Sequence, residues 1–268
     1  MKTEKQNIHY ADSILYDATN PISINLIGAG GTGSKVLTAL IEMNESLLAL
    51  GHAGMQVRLW DDDDISQANI GRQRFAESEI GMKKAVALIN RANRWSGTFW
   101  KAEIERFERN SFGSVPNKAM ANVYISCVDN VKSRFEIAEV LGRLGKGREI
   151  QNQPLYWMDF GNSRNSGQVI LSTIGDIEQP SSQKYNCFSN LPFVSDEFGE
   201  MLKKSEEIDD TPSCSVAEAL TKQDLYINGS LAQMGCSILW NLFREGSTRY
   251  RGFFFNLKEF RLQPIPIG

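Results

Sequence analysis

Histidine is nearly absent from this chain of 268 residues: His9 and His52 are the only two, so histidine-based catalysis is not expected. Cysteine is almost as scarce, and Cys127, Cys187, Cys214 and Cys236 lie scattered, as thiols kept reduced in a cytoplasm do. No uninterrupted apolar run approaches the ~18 residues of a membrane span. The opening MKTEKQNIHYADSIL lacks the apolar stretch of a secretion signal. A formal net charge of −3, without a long basic run, argues against an extended nucleic-acid surface. A cytoplasmic protein bound to neither membrane nor nucleic acid is expected. What remains is ordinary globular composition, 41% hydrophobic and 23% charged. The length allows one large α/β domain or two small ones.

The apolar pattern then fixes the class. Residues 22–27 (ISINLI) read as a strand buried on both faces, because apolar residues do not alternate with polar ones. After a glycine cluster, Val36, Leu37, Leu40, Ile41, Leu47 and Leu48 recur at helical spacing, and Gly51 suits the helix stop. Residues 55–60 (MQVRLW) form a second strand, ending in Asp61, Asp62, Asp63 and Asp64. A helix over 77–94 follows, with a weaker strand at 99–104 and an apolar one at 121–127 tipped by Asp129. A helix to 144 and strands at 155–160 and 167–174 continue the series. Such alternation predicts a doubly wound, mostly parallel Rossmann-like sheet over 1–174. Residues 175–212 are polar and acidic without periodicity and read as a mobile crossover loop. A helix over 215–243 and the strand-like GFFFNLKEFRL, within 213–268, complete the same domain as antiparallel strands.

Gly28, Gly30 and Gly33 satisfy G-x-G-x-x-G between a strand and a helix. The first permits the tight turn, the second lets backbone approach a phosphate, and the third packs helix on strand. The helix start then offers free N–H groups to an anion. These glycines alone do not separate a dinucleotide from ATP, nor exclude a structural turn. Asp61 lies where a carboxylate takes ribose hydroxyls, although four aspartates in a row also fit a solvated loop. Beyond the second strand stand Asn69, Arg72, Gln73 and Lys84. Hydride transfer has no use for that gathering. An enzyme that makes pyrophosphate a leaving group does, because negative charge grows on the β- and γ-phosphates.

With these motifs the chain resembles the ThiF/MoeB/HesA family, bacterial relatives of ubiquitin-activating enzymes. The resemblance rests on GAGGTGS (28–34), then Asp61, Asp63, Asn69, Arg72 and Gln73, then IGMKKA with Lys84. CVDN followed by Arg134, WMDFGNSRNSGQV (157–169) and PSCSVAEAL (212–220) continue it. It spans about 20–245 and is most like the ThiF-related member of the plasmid-borne PRTRC cassette. The resemblance implies ATP-dependent adenylation of the C-terminal carboxylate of a ubiquitin-like, β-grasp partner. Gly28, Gly30, Gly31 and Gly33 would hold the nucleotide backbone, Asp61 would bind the ribose, and Asp63 and Gln73 would belong to the same nucleotide site. Asn69, Arg72 and Lys84 would hold the triphosphate, and Asp129 would hold Mg²⁺. A homodimer is implied as well, for which the aromatic tail 252–260 offers an interface or, equally, closes the core.

There are departures from the family. No C-x-x-C pair occurs, so a four-thiolate zinc site cannot be built and no zinc is expected. No arginine precedes Arg58, so the family's N-terminal arginine has no counterpart. An inactive adaptor of the same fold is the alternative this favours; an NAD or FAD oxidoreductase would rest on the glycines alone. Cys127 and Cys236 read as buried packing thiols. Cys214 precedes Ser215-Val216-Ala217-Glu218, a capping-box pattern that would set a thiolate at a helix start. It matches the position where some members carry a reactive cysteine, so acyl transfer to Cys214 is a further expectation.

Overall fold

The computed structural model describes residues 5–71, 73–108, 117–144, 153–205 and 223–268. In chain order the elements are β1 (Gln6–Tyr10), α1 (Ser13–Tyr16), β2 (Ile22–Ile27), α2 (Gly31–Ala49) and β3 (Met55–Trp60). Then come α3 (Lys84–Ser96), β4 (Lys101–Glu103), β5 (Val123–Ser126), α4 (Val131–Arg143), β6 (Tyr156–Asn162) and β7 (Ser166–Thr173). The remainder are β8 (Tyr185–Cys187), α5 (Val194–Ser205), α6 (Ile227–Glu245), β9 (Ser247–Thr248), β10 (Tyr250–Asn256) and β11 (Arg261–Pro266).

An eight-stranded sheet runs in the order β11-β10-β7-β6-β5-β2-β3-β4. The strands from β4 to β6 are parallel, and β7, β10 and β11 add to it antiparallel. Mixed α/β with antiparallel C-terminal strands is the expected class. The period-2 rule of strands divides the core. Ile24, Leu26, Val123, Ile125, Tyr156 and Met158 face one layer, with α1, α2, α3 and α6. Ile27, Tyr124, Trp157 and Ile170 face the other, with α4 and α5. Helices on both faces are why the central strands read as continuous apolar runs. The aromatic tail closes this core: Phe253 is buried, and β10 is paired on both edges.

Three expectations need correction. The helix expected over 77–94 begins at Lys84; residues Glu77–Glu79 are instead a short 3-10 turn. The segment read as an unstructured loop carries β8 and α5 in its described part, and Ile177, Leu191, Val194 and Leu202 are buried. Its acidic composition masked an amphipathic spacing of apolar residues. The last long helix starts at Ile227 rather than near 215, after a turn at Leu225 and Tyr226. The expected capping box at 215–218 lies outside the described residues. Among the described residues no helix is long and apolar enough to cross a membrane.

A second, three-stranded sheet places β1 between β8 and β9. Its His9 is fully buried. The Phe188 carbonyl accepts from Nδ1 at 2.6 Å, which leaves Nε2 to accept from the Tyr156 hydroxyl at 2.9 Å. Burial pulls this imidazole below its ordinary value, against the opposing pull of the Phe188 hydrogen bond. The unfolded chain therefore takes up the proton first as pH falls, and His9 favours the folded state less in that range. Stability should be fully present above the ordinary imidazole value of ~6.5 and decline below it. Melting curves from about pH 7.5 to about pH 5.5 should fall for the native protein and fall less for His9→Gln.

Candidate active site

The chain order sends β3 and β4 to one side of β2 and β5 and β6 to the other. Ligands of such sheets bind in the crevice at the carboxyl ends where the direction reverses. Here a cleft of about 230 Å³ opens there, walled by Gly28, Gly30, Gly31, Asp61, Asp63, Gln73, Lys84 and Asp129 among others. Eight of the residues singled out from sequence thus converge. Gly33 supports the same turn from behind. Asn69 is not on the wall: its side-chain oxygen accepts from Ser66 N–H at 2.8 Å, closing a one-turn 3-10 helix. Arg72 and Cys214 lie outside the described residues.

The glycines differ in what they do. Gly28 has φ +95°, and a Cβ there would sit 2.8 Å from the Cys127 carbonyl oxygen. At Gly33 a Cβ would come within 1.9 Å of the Gly28 oxygen, so this glycine lets α2 press on its own lead-in strand. A Cβ on Gly30 would meet nothing within 4 Å, and the residue borders the cleft. The cleft is open on this side of the glycine turn. α2 follows with Gly30 as N-cap and no side-chain cap, so its first N–H groups and the positive end of its dipole border the cleft.

Charged groups surround that start. Asp61 Oδ2 accepts from Ala29 N–H at 2.6 Å and Oδ1 from Asp63 N–H at 3.0 Å, clamping the glycine turn to the end of β3. Burial pushes the Asp61 carboxyl up, while the Ala29 N–H and the Lys84 ammonium pull it back. Lys84 is buried, and its Nζ donates to Asp63 Oδ2 at 2.6 Å. Gln73 Oε1 is the single buried side-chain polar atom without a hydrogen-bond partner among the described residues. Such an acceptor on the wall calls for a hydrogen-bond donor from solvent or a bound molecule.

Asp129 follows β5 and is exposed. Its Oδ1 accepts from Asn130 Nδ2 at 3.2 Å, while Asn130 Oδ1 caps α4 by accepting from Ser133 N–H at 2.8 Å. Among the described residues no group of three or more His, Cys, Asp or Glu could hold a metal. A lone carboxylate instead fits Mg²⁺, which is held by one or two carboxylates together with phosphates and water. Cys127, also on the wall, and Cys236 are buried as expected. Burial raises both thiols, Cys236 to about 12, so neither is a nucleophile.

Two polar networks were not assigned from sequence. Arg134 Nε donates to both oxygens of Asp159 at 3.0 Å, and its Nη2 reaches the carbonyls of Val128 and Phe160. Asp159 also accepts from Ser126 Oγ, which accepts from Trp157 Nε1. An acid inside the apolar run LYWMDF was the available signal, since a buried carboxylate requires a partner. The second network centres on Asn228 of α6, whose Oδ1 accepts from Thr32 Oγ1 at 2.7 Å. No sequence pattern marks it.

Residues 11–266 match the ThiF family. The chain is 23% identical over 206 residues to ubiquitin-like modifier-activating enzyme 5 of Culex quinquefasciatus, covering 72% of this chain and 46% of that protein. Against the Rattus norvegicus protein of the same name it is 25% identical over 178 residues, covering 60% and 39%. The chain thus spans less than half the length of these curated relatives. In fold it is similar to MccB of E. coli, with TM-score 0.58 and 13% identity, covering 95% of this chain and 65% of that one.

Proposed function

This chain belongs to the ThiF family, and from that premise we propose that it adenylates the C-terminal carboxylate of a ubiquitin-like, β-grasp partner with ATP. The observation that carries the reading is the convergence, in one cleft, of the uncapped start of α2, the buried Lys84 ammonium and the exposed Asp129 carboxylate. The name of its relatives, ubiquitin-like modifier-activating enzyme 5, supports the partner class.

In this reading the triphosphate lies across Gly30 and the start of α2, where N–H groups replace its lost water. Asp61, held by two backbone N–H groups, presents its remaining lone pairs to the ribose, beside Asp63. Lys84, with Arg72 and Gln73, takes the charge that grows on the departing phosphates; Asn69 instead closes the turn that leads to them. Asp129 would hold Mg²⁺, which would neutralise phosphate charge. One oxygen of the partner's carboxylate attacks the α-phosphorus in line. The bond from that phosphorus to the bridging oxygen breaks, pyrophosphate leaves with the electron pair, and an acyl-adenylate remains. The protein contributes position and charge, not a covalent bond, in this step. Transfer to the Cys214 thiolate, expelling AMP and leaving a thioester, is the second half of the proposal. A homodimer and a partner encoded in a PRTRC cassette belong to it too.

ATP–pyrophosphate exchange that depends on a β-grasp partner tests the first half. Cys214→Ala should keep that exchange and lose any thiol-sensitive adduct; an adduct that persists in the variant defeats the transfer step. No exchange with any cassette-encoded β-grasp protein, in a chain that binds ATP, would favour an adaptor.

The glycines give a sharper test. Gly30→Ala should fold as the parent does, since its Cβ meets open space, yet bind ATP at least ~10-fold more weakly because the methyl fills the phosphate cradle. Gly33→Ala should lose folding stability first. Calorimetric titration paired with melting curves separates the two outcomes.

A further inference from the structure

Asn228 is 1% exposed, yet it borders the cleft. Its amide joins three separate parts of the chain. Oδ1 accepts from Thr32 Oγ1 at 2.7 Å, in the first turn of α2, and from Asn162 Nδ2 at 3.3 Å, at the end of β6. Nδ2 donates to Gln223 Oε1 at 2.8 Å, ahead of α6. The same side chain lies flat on Gly31, where a Cβ would sit only 2.7 Å from Nδ2. Asn228 therefore touches both Gly31 and Thr32, the first two residues of α2, whose N–H groups have no partner inside the helix.

A buried amide is costly unless its donors and acceptors are matched. An apolar residue here would pack the start of α6 equally well, but it would release the Thr32 hydroxyl and the turn that carries it. A carboxylate could accept the bonds from Thr32 and Asn162. It would lose the donation to Gln223 and would set negative charge beside the proposed phosphate path. The neutral amide is the group that ties this turn without repelling an anion.

We propose that Asn228 is a positioning residue that holds the first turn of α2 so that the N–H groups of Gly31 and Thr32 aim at the phosphate chain of the nucleotide. This rests on the reading of the cleft as an ATP site. The ribose is assigned to Asp61, and the hydrogen bonds of Asn228 go to Thr32, Asn162 and Gln223 instead, so the residue acts on the phosphates and not on the nucleoside.

The experiment is calorimetric titration of ATP and, separately, adenosine into the native chain, Asn228→Ala, Thr32→Val and the double variant, with Thr32→Ser as the conservative control. Asn228→Ala and Thr32→Val should each weaken ATP about tenfold and adenosine less than about twofold. The double variant should be no worse than Asn228→Ala alone, because that change already removes the bond that Thr32 makes. Thr32→Ser, which keeps the hydroxyl, should match the native chain. Equal losses for ATP and adenosine, or additive losses in the double variant, would overturn the positioning role and leave Asn228 as packing. A native chain that binds ATP, with variants of unchanged preference, defeats this inference alone. A native chain that binds no ATP defeats the reading of the cleft and the inference together.

Discussion

Asp129→Ala should cut ATP–pyrophosphate exchange by ~100-fold or more while moving the melting temperature by no more than about 2 °C. The two halves of that expectation come from different features. Asp129 is exposed, and its described side-chain hydrogen bond is a 3.2 Å contact from the neighbouring Asn130. Neither the apolar layers nor the cap of α4 depends on it, since Asn130 supplies the cap. Surface substitutions of this kind stay within about 0.5 kcal/mol. In the proposed reaction, by contrast, this carboxylate would hold the cation that offsets phosphate charge, and a preorganised electrostatic partner is worth several kcal/mol of barrier. Exchange and a melting curve on the same preparation decide it. Near-native exchange would remove Asp129 from the mechanism; a collapsed melting temperature would make it structural.

Arg134→Ala carries the opposite profile: a loss of about 3–5 kcal/mol of stability, before any question of catalysis arises. Arg134 is 5% exposed and Asp159 1%. Removing the guanidinium leaves a buried carboxylate with Ser126 as its remaining donor, and strips the Val128 and Phe160 carbonyls of theirs. Breaking a buried pair costs more than the pair is worth, because the survivor stays charged in a poor solvent. Asp159→Ala should cost a similar amount, and the double variant clearly less than the sum. Urea unfolding of the four proteins gives the cycle. Additive losses would mean that the two side chains act independently, against the 3.0 Å geometry. Because Val128 immediately precedes Asp129, a partial loss of exchange should accompany the loss of stability.

Much of this was readable from residues, and the exceptions have physical reasons. The strands expected at 22–27 and 55–60 are observed with those bounds. Both are apolar runs closed by a proline, glycine or aspartate that cannot continue them. β1 escaped because QNIHY has no pattern of its own: its partners are β8 and β9, far along the chain. α5 was legible in principle, since Val194, Phe198 and Leu202 repeat at helical spacing, but the acidic composition around them dominated. At the site, backbone-approach residues are encoded locally by glycine, and charged ligands by rare residue types in apolar surroundings. Asn69 shows the limit, because an amide that closes a turn and one that meets a phosphate look alike in sequence. Asn228 was invisible for a related reason. One amide in an apolar helix acquires meaning only when Thr32 is brought against it.

The small sheet around β1 has a consequence for biosynthesis. The strand at Gln6–Tyr10 leaves the ribosome well before its partners, which lie at Tyr185–Cys187 and Ser247–Thr248. The His9–Phe188 bond alone closes a loop of 179 residues. Closure over such separations is slow and comes late, after local strand–helix units have collapsed. The parallel half, with its glycine turn, therefore assembles on a nascent chain in which β1 still hangs as an unpaired edge. Such edges invite pairing with other chains during synthesis. Chaperone demand at the ribosome should then scale with how long β1 waits, so that slowing translation between Thr173 and Thr248 lowers soluble yield while deleting nothing from the folded protein.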